Sequence, residues 1–192
     1  MKQPKLVVIG LGQEVRGDDG AGIRIVRDWR AKFPCTSEIP EVRVEISGLP
    51  GLDLLSLMEE AQAAILVDAV HEGSVPGRLY ELNDEQVSAF SEGAQSAHGW
   101  GIAETLALAK TIQHKLPKRL AILAIGSNHF DLGANLSPQV EGAIPRAVEH
   151  LQEMVLEILG KTSGLEEYEV GVVLQIRPTP QVPGNPTLLI GK

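Results

Sequence analysis

The sequence predicts an α/β fold, a largely parallel sheet with helices on both faces. Two observations predict it. Short apolar runs alternate along the chain with longer segments of helical periodicity. Several of those runs are apolar at nearly every position, as strands covered on both sides require.

Lys5–Gly10 (KLVVIG) is the first such run, ending in glycine. The loop Leu11–Gly17 follows. Asp18-Asp19-Gly20 then opens a helix that reaches Phe33, where Pro34 stops it. Ile23, Val26 and Phe33 mark its inner stripe. Arg24, Arg27, Arg30 and Lys32 lie toward its C-terminus, where the helix dipole favours cations. Val42–Ser47 alternates like a second strand, and Leu52–Glu60 is a short helix. Ala63–Val67 (AAILV) is a third strand that ends on Asp68. Gly77–Leu82 alternates weakly, as an edge strand or a hairpin arm. Trp100–Leu116 is helical, with Ile102, Leu106, Ala109 and Ile112 in register, and Leu120–Ile125 is another buried strand. Ser137 and Pro138 have the chemistry of N-cap and N1 for a last helix. That helix runs to Leu159, with Gly160 as its C′ residue. Pro145 should kink it or split it.

Residues 1–162 therefore read as one α/β domain and residues 163–192 as a C-terminal extension. Within the extension, Glu169–Ile176 carries the pattern of one more strand. Pro178, Pro180, Pro183 and Pro186 then crowd an irregular tail, for which a partner-binding role is the competing reading.

At 192 residues with 43% hydrophobic composition, the chain has enough apolar surface for a core without a disulfide or metal staple. It has 17 Lys and Arg against 25 Asp and Glu, a net charge of −8. Such a chain is a poor general phosphate binder, and its seven aromatic residues offer few stacking platforms. Nucleic acid is not an expected partner. The single cysteine, Cys35, rules out an intrachain disulfide and a thiol-rich zinc site. No apolar run approaches the ~18 residues of a membrane span. The N-terminal run is cut by Gly10, Gly12 and Gln13, too early for a signal peptide. The expectation is a soluble, cytoplasmic protein that does not enter membranes. No heptad or other self-pairing pattern stands out, so a monomer is expected.

In open α/β sheets, ligands bind beyond the carboxyl ends of the strands. Four candidate segments lie there: Gly10-Leu-Gly12 with Asp18-Asp19-Gly20, Asp68, the loop holding Ser96-Ala-His98-Gly99, and Gly126-Ser-Asn-His129. The first invites a dinucleotide reading, which fails. Val15 stands where the third glycine belongs, and two carboxylates stand where a pyrophosphate would meet the helix. Helix capping is the plain explanation for those acids, with Asp18 as N-cap and Asp19 in the first turn. But one cap suffices, and Asp68 independently ends a neighbouring strand on the same edge. Two carboxylates converging there suit a cation, although a strand-end aspartate is often simply part of a turn. His98, between Ala97 and Gly99, is either an exposed loop histidine or the third member of an O,O,N donor set. Three protein ligands leave coordination positions open, and nickel or zinc suits the mix better than calcium. His71 and His129 are weaker candidates for the same edge, while His114 and His150 read as helix-surface residues. There is no H-E-x-x-H, no G-x-S-x-G elbow and no P-loop, and Cys35 has no evident base beside it.

Taken together, VIGLGQEVRGDDGAG (Val8–Gly22), ISGLPGLDLL (Ile46–Leu55), ILVDAV (Ile65–Val70), PGRLYEL (Pro76–Leu82), SAHGWGIAETLALA (Ser96–Ala109) and LGANLSPQVEGAIP (Leu132–Pro145) resemble the hydrogenase maturation proteases. The likeness spans roughly residues 5–160. It implies a three-layer α/β/α sandwich around a mostly parallel, mixed sheet of about five strands. It also implies an endopeptidase that removes a C-terminal extension from the nickel-loaded large-subunit precursor of a nickel–iron hydrogenase. The family's acidic residue in its D-[DE]-G motif falls on Asp19, its second aspartate on Asp68 and its histidine on His98. These are its proposed metal-contacting and catalytic set. The nickel belongs to the substrate and serves as the recognition mark. One departure is Gln13, where the family usually has asparagine. The competing reading from another class is a non-catalytic nickel-sensing or chaperone module in hydrogenase assembly.

Overall fold

The computed structural model describes residues 5–48, 51–70, 75–83, 86 and 102–160. In chain order these form β1 (Leu6–Leu11), a 3-10 turn (Gly17–Gly20), α1 (Ala21–Lys32), α2 (Pro34–Ser37), β2 (Val42–Ser47), α3 (Leu52–Met58), β3 (Ala63–Val70), β4 (Leu79–Leu82), α4 (Ile102–Thr111), β5 (Arg119–Gly126) and α5 (Pro138–Leu159). The extension read into residues 163–192 lies outside the described residues.

Five strands form one sheet in the order β2-β1-β3-β5-β4. The first four are parallel, and β4 runs antiparallel along β5 at the edge. Strand alternation sorts the apolar runs onto two faces. Leu6, Val8, Ile65, Val67, Leu123 and Ile125 pack with α1 and α5 on one side. Val7, Ile9, Leu11, Ala64, Leu66, Ile122 and Ala124 pack with α3 and α4 on the other. Being covered on both sides, β1 is apolar at every position except Gly10, and buried throughout. The architecture is the expected α/β/α sandwich.

The order of strands fixes where a ligand site can form. From β1 the chain crosses over α1 to β2, then returns over α3 on the opposite face to β3, which lies on β1's other side. The two crossovers leave in opposite directions, so a crevice opens at the carboxyl ends of β1 and β3.

Four expectations change in detail. β3 continues three residues past Val67, because β5 beside it extends the parallel ladder to the Val70–Gly126 pair. Asp68 therefore lies within the strand, opposite Ala124. Ile112 lies past the end of α4 and is 54% exposed, so the core stripe of that helix is Ile102, Leu106 and Ala109. His114 likewise follows the helix end. His150 is not a free surface residue. Its ring bridges two elements, with Nε2 2.8 Å from Glu81 of β4 and Nδ1 3.3 Å from Glu153. Pro145 does not split α5, which runs unbroken from Pro138 to Leu159. The proline is exposed on the outer face, where solvent can take up the hydrogen bond its missing N–H leaves unmade. At the C-terminus Gly160 takes φ 65° as the left-handed cap.

Gly22 sets the height of α1 above the sheet. A Cβ there would lie 2.3 Å from the Val67 carbonyl oxygen and 2.5 Å from that of Leu11. Both obstacles are backbone, which cannot rotate aside as a side chain does. Gly22→Ala is expected to destabilise the fold by about 3 kcal/mol, read as a lower denaturation midpoint in urea. A midpoint equal to that of the wild type would show that α1 lifts from the sheet freely.

Candidate active site

The site is built from the segment that links β1 to α1 and from the end of β3. Gly12, at φ 117°, turns the chain out of the sheet so closely that a Cβ there would lie 1.8 Å from the Asp19 carbonyl oxygen. Only glycine fits that contact and that dihedral. The chain returns through the 3-10 turn, which carries Asp18 and Asp19. Asp19 is partly exposed, and its Oδ2 accepts the Gln13 backbone N–H at 2.8 Å. The residue that departs from the family pattern thus holds Asp19 through its backbone, a contact that does not depend on its side chain.

Asp68 follows the alternation of β3 and lies on the α3/α4 face of the sheet, as Ala64 and Leu66 do. Its Oδ1 accepts the Ala69 N–H at 2.8 Å. Burial pushes its carboxyl up to a pKa of about 7; the Ala69 hydrogen bond works against this, and the Asp19 charge adds to it. That repulsion places Asp19 and Asp68 in one local field. Among the described residues neither carboxylate pairs with a Lys, Arg or His. Nor do the described residues assemble three His, Cys, Asp or Glu side chains around one point. His98 and His71 lie outside them. His129 is described, and its ring faces Asp131 at 3.6 Å.

Asp18 does not cap α1. It is fully buried, and its carboxylate accepts four bonds from the far side of the sheet edge. Oδ1 accepts the Ser137 N–H at 2.6 Å. Oδ2 accepts the Ser137 hydroxyl at 3.0 Å, the His129 N–H at 3.2 Å and the Asn128 N–H at 3.4 Å. Ser137, expected as the side-chain cap of α5, spends its hydroxyl on Asp18 instead. A cap satisfies one donor, whereas this arrangement satisfies four. No periodicity in the sequence marks it. The partners lie 110 to 119 residues apart, and the doubled aspartate is its only trace.

Comparison with known proteins agrees with this architecture. The family model HycI, hydrogenase maturation protease, matches residues 31–154, a span that includes Asp68 and begins beyond Asp19. The hydrogenase expression/formation protein HupD of Rhodobacter capsulatus is 32% identical over 164 residues, covering 82% of this chain and 76% of that protein. The hydrogenase 2 maturation protease of Escherichia coli K12 is 28% identical over 149 residues, 77% of this chain and 88% of the relative. Among solved structures, the hydrogenase maturating endopeptidase HybD from E. coli superposes with a TM-score of 0.66 at 25% identity, over 80% of this chain and 93% of that one. An endopeptidase from E. coli solved in solution gives 0.67 at 27% identity, over 84% and 95%. This chain belongs to the hydrogenase maturation protease family. It is an enzyme, a hydrogenase maturation endopeptidase.

Asp68 makes the pH dependence of stability a direct test of the site's electrostatics. Its unfolded pKa is near 3.8 and its folded pKa about 7, so the folded protein binds the extra proton between those values. Stability is therefore greatest below the lower value, falls as pH rises through the window, and levels off above it. Asp68→Asn removes the penalty while keeping an acceptor for Ala69. In chelator, the variant is expected to match the wild type at pH 4. At pH 8 it should be more stable, by up to about 4 kcal/mol. Thermal melts at the two pH values check this, and an equal shift at both would contradict it.

Proposed function

We propose that this endopeptidase removes a C-terminal extension from the nickel-loaded large-subunit precursor of a nickel–iron hydrogenase, and that Asp19, Asp68 and His98 meet the substrate's nickel. One observation carries the reading: at the switch point of the sheet the Asp68 carboxyl is pushed up, chiefly by burial and further by the Asp19 charge, and no Lys, Arg or His of the described residues pairs with either carboxylate. A divalent ion delivered by the substrate offsets that charge, and an empty precursor does not. An imidazole completes an oxygen-rich donor set suited to a borderline ion such as nickel. The relatives' names place them in the same process, as hydrogenase maturation or hydrogenase expression/formation proteins.

In this reading Asp19 and Asp68 supply negative charge for the mark, and His98 supplies the nitrogen donor. A divalent ion so placed can polarise a carbonyl or activate water. Cleavage adds one water across the scissile peptide bond and frees the extension. The chain acts alone, as a monomer, in the cytoplasm. Among the described residues no helix is long and apolar enough to cross a membrane.

Intact mass of the precursor, before and after addition of the enzyme, tests this. The nickel-loaded precursor is expected to lose one C-terminal peptide, and the nickel-free precursor none. Asp68→Asn is expected to abolish the loss while remaining folded. Near-normal cleavage by that variant removes Asp68 from the site. Nickel-dependent complex formation without any loss of mass would point to a sensing role instead.

A further inference from the structure

Asp18 is a fully buried carboxylate that no step above uses. Its surroundings differ from those of an ordinary buried acid. Among the described residues all four of its donors are neutral, three of them backbone N–H groups, and all come from residues 128–137, none from its own turn or helix. Its own N–H reaches across the same gap, donating to the His129 carbonyl at 2.7 Å. On either side the seam continues: the Gly17 N–H donates to Ala134 O at 3.2 Å, and the Gly133 N–H to Val15 O at 2.6 Å. Both the backbone and the side chain of Asp18 are thus tied to the loop between β5 and α5. Asp19 is the next residue, and its carboxylate is held from the other side by Gln13.

We propose that Asp18 is a positioning residue for the reaction: by locking the β5–α5 loop to the 3-10 turn, it fixes the peptide that carries Asp19 and hence where the Asp19 carboxylate stands. A short turn anchored only at its ends leaves its side chains free to shift by an ångström. A shift of that size in a charge-bearing group is enough to cost two orders of magnitude in rate. Asp18 touches neither substrate nor metal in this arrangement. It acts through Asp19, and the inference rests on the reading of Asp19 as a site residue.

Precursor cleavage is measured with nickel-loaded precursor, well below each variant's melting temperature, for four variants. Asp18→Asn keeps the volume but presents an N–H pair where the loop needs acceptors. It is expected to lower kcat at least tenfold, with KM within about twofold of the wild type. Ser137→Ala removes one donor of the four and leaves Asp18 in place. It is expected to lower kcat about threefold, and Ser137→Thr, which restores a hydroxyl, to recover it. A residue that only stabilised the fold would lower the melting temperature and leave kcat of the folded enzyme unchanged. That result in Asp18→Asn overturns the proposal. If Asp18→Asn does not fold, an unchanged kcat in Ser137→Ala overturns it instead. The fourth variant, Asp19→Asn, separates the two levels. Full activity there ends the reading of Asp19 and the inference with it. An inactive Asp19→Asn beside a folded, fully active Asp18→Asn overturns the positioning role alone.

Discussion

The contact of Gly22 with the carbonyl oxygens of Leu11 and Val67 determines where everything else at the sheet edge can stand. Hydrogen bonds within the sheet fix β1 and β3 side by side, with Gly10 opposite Val67. The helix that follows β1 must then start almost on top of those two strands. Its first residues lie over the carboxyl ends, and the turn that precedes them is squeezed between the helix and Gly12. Asp19 is in that turn. Its place beside the carboxyl ends of β1 and β3 thus follows from backbone packing, before any side chain has a preference.

That geometry was partly legible in the residues. The apolar runs mark β1, β3 and β5 to within a residue or two at their starts, because a strand covered on both sides leaves few polar positions to confuse the pattern, and alternation marks β2. The edge strand β4, half-buried, was correspondingly faint. The long last helix was marked by Ser137, Pro138 and Gly160, whose local chemistry does not depend on the rest of the fold. What local chemistry could not decide was the partner of a side chain. Ser137 has the right residue type and the right extended conformation for a cap, yet its hydroxyl goes to Asp18. Nothing in the residues around Ser137 reports that a buried carboxylate will lie beside it. The candidate site was legible in the same uneven way. Asp68 is a candidate because the carboxyl ends of strands are where α/β sheets hold ligands, and Asp19 because the family resemblance falls on it. Asp18 reads as a cap in the sequence because its donors come from a loop more than a hundred residues away.

Asp18, fully buried, and Asp68, half-buried at the surface, are treated in opposite ways. Asp18 is surrounded by donors that satisfy its oxygens where they lie, and those bonds tie two loops together. Among the described residues Asp68 accepts a single backbone N–H, and the Asp19 charge adds to the effect of its burial. Its ionised form is disfavoured, and the fold is weaker for keeping it near neutral pH. A chain selected only for stability would fare better with asparagine there, which keeps the Ala69 bond and drops the charge. The residue that costs the fold something is the one whose retention asks for another explanation.

The sign of the Asp19–Asp68 interaction indicates what that explanation involves. The Asp19 charge opposes ionisation of Asp68, and turns fixed by backbone packing leave the two carboxylates little room to avoid each other. A neutral ligand leaves that opposition unchanged, and an anion makes it worse. A dication between them converts each term to attraction, and a fixed arrangement means little reorganisation is needed at the moment of binding. The same rigidity gives discrimination. In the proposed reading a precursor without metal would meet two unshielded carboxylates, whereas a loaded precursor would meet charges that its nickel complements. Selectivity of this kind needs no shaped pocket around the metal, only carboxylates that stay where the backbone puts them.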